Sequence, residues 1–195
     1  MIKKNKLNII RGFSLFELLI TTSILMVVSG LVFFNQAQFS NSVLIENLAY
    51  EISLVIRQAQ SYGIQTKGVG GFFSSGYGVY FDKQASEFIL FADTDPFDPD
   101  NPNLVYDGDE YDEIIDRLSM TSGNIIEDLC VGGTCGADFI NISFIRPDPS
   151  AIIKKMDPDY EYDTAQIRIK SPKGIERLIL VNSVGQISIT TPLGS

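Results

Sequence analysis

The sequence predicts an α+β fold in which a long N-terminal helix, transmembrane and then amphipathic, packs on an antiparallel β-sheet domain. The first observation is an apolar run of 22 residues, Phe13–Phe34, whose one charged residue is Glu17. The second is the helical spacing of apolar residues over 44–59. The third is a series of short alternating segments over 77–190, which is typical of strands. A helix followed by such strands favours the α+β class.

The apolar run is long enough to cross a bilayer if it is helical. At about 1.5 Å per residue it reaches about 33 Å, against about 30 Å for the hydrocarbon core. The stretch before it, residues 1–12, holds four of the 15 basic residues and none of the 24 acidic ones. This bias keeps an N-terminus cytoplasmic. The sequence therefore predicts a single-pass protein of the cytoplasmic (inner) membrane, held by residues 13–34, with a periplasmic or extracellular globular domain.

The helix is expected to continue beyond the apolar run. Apolar residues recur at steps of three and four, and no proline precedes Pro96. These positions are Leu44, Ile45, Leu48, Ala49, Ile52, Val55, Ile56 and Ala59. We predict one helix from about Phe13 to about Tyr62, with Gly63 as its end signal.

The remaining chain is expected to form antiparallel strands. Residues 77–81 and 88–91 read as a hairpin, and 150–163 read as a loop. Further strands are predicted at 111–118, 123–129 and 139–145, and as a meander at 166–170, 176–181 and 186–190.

The composition argues against an enzyme. The chain has no histidine, so the commonest general base is missing, and no serine lies in a Gly-x-Ser-x-Gly setting. Carboxylates are plentiful over 93–116, but a loop this acidic is more often a solvated surface than a catalytic cleft. No catalytic residue is predicted.

Cys130 and Cys135 are the only cysteines, and a Gly-rich spacer separates them. In an exported domain two cysteines can form one disulfide, and this spacer suits a tight disulfide loop. The alternative is a metal site, although two thiols without histidine make a poor ligand set.

The stretch 93–116 holds ten carboxylates, three prolines and no basic residue. Calcium takes six to eight oxygen ligands, so an Asp-rich loop can supply a site. The candidate ligands are Asp93, Asp95, Asp98, Asp107 and Asp109. The alternative is a solvated acidic face that binds no metal, and no cofactor is otherwise expected.

The residues Gly12-Phe13-Ser14-Leu15-Phe16-Glu17-Leu18 resemble the prepilin motif of type IV pilins and type II secretion pseudopilins. The resemblance implies cleavage by a prepilin peptidase after Gly12 and N-methylation of Phe13. It also implies that Glu17, as fifth mature residue, pairs with the freed amine of a neighbouring subunit during assembly. Other pilin or pseudopilin subunits and the inner-membrane assembly machinery are the implied partners.

The whole-chain layout is similar to H-type minor pseudopilins and FimT-like minor pilins. It implies a cleaved leader at 1–12, the transmembrane half of the helix at 13–35, and a globular pilin domain at 36–195. Many pilins carry proline at the twenty-second mature position, where this chain has Phe34. A helix kink there is therefore not expected.

Two functions follow from this resemblance: a structural subunit of a filament, or a binding module displayed on one, such as a DNA-uptake minor pilin. A basic cluster in the meander bears on the second: Arg168, Lys170, Lys173 and Arg177. The alternative is that these are ordinary solvent-facing strand residues. Cleavage would leave 11 basic against 24 acidic residues, a net charge of −13, which argues against nucleic acid as a partner. A monomeric membrane-anchored protein is the third option.

Overall fold

The computed structural model describes residues 12–65, 76–94, 103–155 and 160–192, without the side chains of 32–41. It contains one helix, α1 (Leu15–Ile64), among these residues. The strands are β1 (Tyr77–Asp82), β2 (Glu87–Ala92), β3 (Glu113–Ser119), β4 (Ile125–Val131), β5 (Thr134–Cys135), β6 (Phe139–Phe144), β7 (Ile152–Lys154), β8 (Glu161–Tyr162), β9 (Thr164–Lys170), β10 (Glu176–Asn182) and β11 (Ile187–Thr190).

The chain forms two compact units, Met1–Ser40 and Asn41–Ser195. In the first unit, the described part of α1 exposes its apolar side chains on all sides. In the second unit, α1 buries one face, as its three- and four-residue apolar spacing requires. The predicted leader lies, apart from Gly12, outside the described residues.

The first sheet has six strands in the order β3-β2-β1-β6-β7-β8, and every adjacent pair is antiparallel. The β1–β2 hairpin pairs Tyr77 with Ala92 and Asp82 with Glu87. Its turn is stabilised by Asp82, whose Oδ1 accepts hydrogen bonds from the backbone N–H groups of Gln84 (2.7 Å) and Ala85 (3.0 Å).

The second sheet has five strands in the order β11-β10-β9-β4-β5, again all antiparallel. Residues on β9 alternate between buried and partly exposed, so this sheet packs one face on the core. The buried residues of α1 and of the inner faces of both sheets form a single hydrophobic cluster. On α1 these residues are Ile45, Leu48, Ala49, Ile52, Val55, Ile56 and Ala59.

The predicted fold class is wrong. The described chain is mostly antiparallel β-structure divided between two sheets, where a long helix on one sheet was predicted. The spacing of alternating residues identifies strands, but it does not show which strands pair. The division of the strands into two sheets could therefore not be predicted. The predicted loop 150–163 is also wrong in part, because β7 and β8 lie within it.

The predicted location as a single-pass inner-membrane protein is wrong as well. In the described part of the chain, no helix is both long and apolar enough to cross a membrane.

Candidate processing and assembly site

The residues of the prepilin-like motif lie at the start of α1. Gly12, Phe13 and Ser14 are non-helical and exposed, and α1 begins at Leu15. The carbonyl of Ser14 accepts the hydrogen bond of the Leu18 N–H at 3.1 Å, which closes the first turn. The Phe13 side chain is 80% exposed. The Gly12–Phe13 peptide bond therefore lies in an accessible, non-helical segment, as a protease substrate must.

Gly12 has open space around it. A Cβ atom added at this position would meet no atom within 4 Å, and its backbone has no positive φ. The fold of the described residues thus does not require glycine here. If glycine is required at this position, the requirement comes from a protein that binds this segment and not from the fold of the chain.

Glu17 lies in the first turn of α1 and is exposed. A carboxylate is favoured there because the first N–H groups of a helix carry partial positive charge. Among the described residues, no cationic side chain lies within ion-pair distance of Glu17. Its surroundings on α1 are large apolar side chains, including Phe16 and Leu18.

The hydroxyl groups of this part of α1 are bonded within the helix. Thr21 Oγ1 and Thr22 Oγ1 each donate to the Leu18 carbonyl at 3.0 Å, and Ser23 Oγ donates to the Leu19 carbonyl at 2.8 Å. Such back-bonding satisfies the hydroxyl groups locally. Apart from these three hydroxyl residues, Ser29 and Glu17, the described side chains from Leu15 to Leu31 are apolar.

Cys130 and Cys135 are joined in a disulfide with an S–S distance of 2.04 Å. They are paired residues of the β4–β5 hairpin, which turns at Gly132 and Gly133, both with positive φ. Asp128 lies beside them, and its oxygen and the two sulfur atoms are within 4.8 Å of one another. Because disulfide sulfurs are not thiolates, this trio does not form the metal site considered as the alternative.

The three described members of the predicted calcium site, Asp93, Asp107 and Asp109, do not come together at one point. Asp93 Oδ2 accepts the Leu104 N–H at 2.6 Å, and Asp107 Oδ2 accepts from Asn103 Nδ2 at 2.6 Å. Asp109 forms a bidentate ion pair with Arg117, with N–O distances of 2.7 and 3.0 Å. Asp95 and Asp98 lie outside the described residues. No three carboxylates of the described acidic stretch meet closely enough to hold one ion.

Residues 103–112 instead pack over the outer face of the six-stranded sheet. The Tyr106 N–H donates to Asn141 Oδ1 at 3.1 Å, and Ser143 Oγ donates to the Leu104 carbonyl at 2.9 Å. Lys154 Nζ donates to the Asn103 carbonyl at 3.0 Å. These contacts were not predicted, because the alternation over 139–145 indicates a strand but does not show what covers its polar side. The buried Asn141 and Ser143 show that this face is covered.

Asp112 is a buried carboxyl group at the end of this segment. Burial raises the pKa of Asp112 to about 7, and the nearby Asp93 also raises it, while hydrogen bonds from the backbone of Asp107 and Thr94 oppose the rise. Its Oδ2 accepts the Asp107 N–H at 2.7 Å. The Asp112 carboxyl therefore holds the backbone of this segment by a hydrogen bond. Its contacts are with the protein's own residues.

The predicted basic cluster is dispersed. Lys170 Nζ pairs with Glu127 at 3.0 Å and with Glu176 at 3.4 Å. Arg177 faces α1, where its Nε lies 2.5 Å from Glu46 Oε2. Arg168 lies on β9 and Lys173 in the following turn. Since two of the four charges are neutralised by carboxylates, the four residues do not form a single basic surface.

Comparison with known proteins finds no matching family model, no matching curated protein and no matching solved structure.

Proposed function

We propose that this chain is a prepilin-like structural subunit, processed by a prepilin peptidase and assembled as a minor component into a secretion pseudopilus or a type IV pilus. The observation that carries the proposal is the arrangement at the start of α1. An exposed, non-helical Gly12–Phe13 bond precedes the exposed part of α1, Leu15–Leu31, whose one charged residue, Glu17, lies in the first turn. The resemblance of these residues to the prepilin motif supplies the chemistry.

The exposed apolar surface of α1 supports assembly with other subunits. Twelve large apolar side chains from Phe13 to Leu31 are exposed. Burying one such side chain stabilises a complex by roughly 1.5–3 kcal/mol. Packing against the same helix of neighbouring pilin or pseudopilin subunits would cover them, and the assembly machinery of such a filament would bring the subunits together.

Glu17 supports a specific docking position. A carboxylate enclosed by apolar helices is costly unless a cation pairs with it. Cleavage after Gly12 would free the Phe13 amine, which would supply one such cation on each subunit. Pairing between Glu17 and the amine of a neighbour would therefore fix how far one subunit is displaced along the next.

The alternative of a displayed DNA-binding module is less well supported. Nucleic-acid binding requires a continuous positive surface that contacts phosphates. Here Arg177 and Lys170 are each engaged by carboxylates. No observation on the described residues favours this second function over the filament subunit.

The proposal is tested by Glu17→Ala, with Glu51→Ala as the matched control. Glu51 is also an exposed acid of α1 but lies in the second compact unit. We expect Glu17→Ala to leave cleavage unchanged and to reduce incorporation into filaments by at least about tenfold, because an enclosed ion pair is lost. Glu51→Ala should incorporate normally.

Quantitative immunoblotting of sheared filaments against total processed subunit gives the measurement. Wild-type incorporation of Glu17→Ala, at normal cleavage, would contradict the role given to Glu17.

A further inference from the structure

Four partly or fully exposed residues of α1 form a stripe beside the five-stranded sheet. Glu46, Tyr50, Leu54 and Arg57 recur at steps of three and four, so they share one face of the helix. Tyr50 is 54% exposed and Leu54 is 64% exposed, although both belong to the unit whose core is otherwise closed. The stripe is thus acidic at one end, apolar in the middle and basic at the other end.

A groove of about 540 Å³ runs between this stripe and β11. Its apolar lining comes from Tyr50 and Leu54 on α1 and from Ile187 and Ile189 on β11. In the described sheet, β11 is an edge strand and carries no charged residue. The edge strand β3 of the other sheet carries Glu113, Asp116 and Arg117. Charges of that kind normally protect an edge from pairing, so β11 is the less protected edge.

The charges of the stripe are complementary to those of a second, antiparallel copy. Glu46 is held by Arg177 yet keeps 35% of its side chain exposed. Arg57 forms no ion pair with a described residue. The two residues stand about 16 Å apart along the helix. When two stripes run antiparallel, Arg57 of each copy meets the exposed side of the partner's Glu46, which keeps its ion pair with Arg177. The apolar centres then meet each other.

The geometry points to a two-fold symmetric contact between two copies of this chain through the face formed by Glu46, Tyr50, Leu54, Arg57 and β11, which we call the α1–β11 face. Such a contact is isologous: the same surface serves both copies, and it closes at two. It is therefore distinct from the contact that would propagate a filament. The contact requires neither cleavage after Gly12 nor the apolar residues 13–31. It can therefore be tested independently of the proposed function.

The first test measures the mass of the full-length chain in mild detergent by sedimentation over a range of concentrations. We expect the wild type to dimerise and Arg57→Glu, which places two acids together at each end, to weaken the dimer at least about tenfold. Lys173→Glu, with the same charge change on another exposed residue, should leave the dimer intact. A wild-type chain that stays monomeric, or an Arg57→Glu variant that dimerises equally well, would overturn the inference.

The second test locates the contact. Leu54→Cys lies at the centre of the α1–β11 face, whereas Asp116→Cys lies at an exposed position of β3 in the other sheet, outside it. With a short bismaleimide, the Leu54→Cys chain should form cross-linked dimers and the Asp116→Cys chain should form few. Equal cross-linking of both would show that association runs through another surface, such as residues 13–31, and would also overturn the inference.

Discussion

The two described parts of α1 differ in what covers their apolar side chains. From Ile45 to Ala59, one face of the helix is buried in the core shared by both sheets. From Leu15 to Leu31, the large apolar side chains are exposed. Both parts are rich in large apolar side chains. Among the described residues, the strands of the chain bury those of the second part only.

This difference shows which part of α1 belongs to the folded core and which part has no cover among the described residues. The packed part needs only an amphipathic stripe, because the sheets of the same chain lie on one side of it. The exposed part is apolar on all sides, so it requires partners around its whole circumference. In the filament proposed above, several neighbouring copies would surround this part of the helix and cover it.

The largest expected effect separates the two parts by a matched substitution. Ile52 is 0% exposed and Ile24 is 58% exposed. We expect Ile52→Ala to lower the free energy of unfolding by about 2–5 kcal/mol, because it leaves a cavity in the core. Ile24→Ala should leave it nearly unchanged. Chemical denaturation of the full chain, followed by circular dichroism of the β-structure, gives both values. Equal losses would mean that residues 15–31 belong to the folded core.

We expect a smaller change in unfolding free energy when one carboxylate of each part of α1, Glu46 or Glu17, is replaced. Glu46 accepts a hydrogen bond from Arg177 Nε, whose side chain is 17% exposed, whereas Glu17 has no such partner among the described residues. Glu46→Gln should therefore cost about 1 kcal/mol of unfolding free energy. Glu17→Gln should cost nothing measurable. The same denaturation series compares them, and a loss in the Glu17 variant would reveal an intramolecular partner.

The smallest effect concerns Asp112, a carboxyl group that the fold buries, in contrast to Glu17. Its pKa is raised from the ordinary 3.8 to about 7, chiefly by burial. The folded state therefore binds this proton more readily than the unfolded state does. The stability that Asp112 contributes is fully present below about pH 3.8 and is lost as the pH rises through about 7.

Thermal melts at several pH values between 5 and 8 test this direction. The wild-type midpoint should fall as the pH rises across this range relative to Asp112→Asn, which cannot ionise. A wild-type curve parallel to that of Asp112→Asn would contradict the raised pKa.

Much of the β-structure could be predicted from alternation and turn residues. The hairpin of β1 and β2 and the meander of β9, β10 and β11 are confirmed at nearly the predicted bounds. The apolar face of α1 is also confirmed from Ile45 to Ala59, while Leu44 is exposed at 39%. These features depend on local spacing, which the sequence carries directly.

Features that depend on distant parts of the chain could not be predicted. The alternation over 139–145 predicted a strand, but it could not show that residues 103–112 cover Asn141 and Ser143. The acidic residues of that loop suggested a cation site, but backbone N–H groups and Arg117 satisfy Asp93 and Asp109. The role of Glu17 could be proposed only from the resemblance to the prepilin motif, because no described residue of the chain forms an ion pair with it.

Mass spectrometry of the N-terminus of the native protein, from a host with an active prepilin peptidase, tests the proposed processing most directly. We expect a chain that begins at N-methylated Phe13. We also expect Gly12→Val to remain uncut although it folds normally, because a side chain at this position meets no atom within 4 Å. A native chain that begins at Met1 in such a host would contradict the proposed processing.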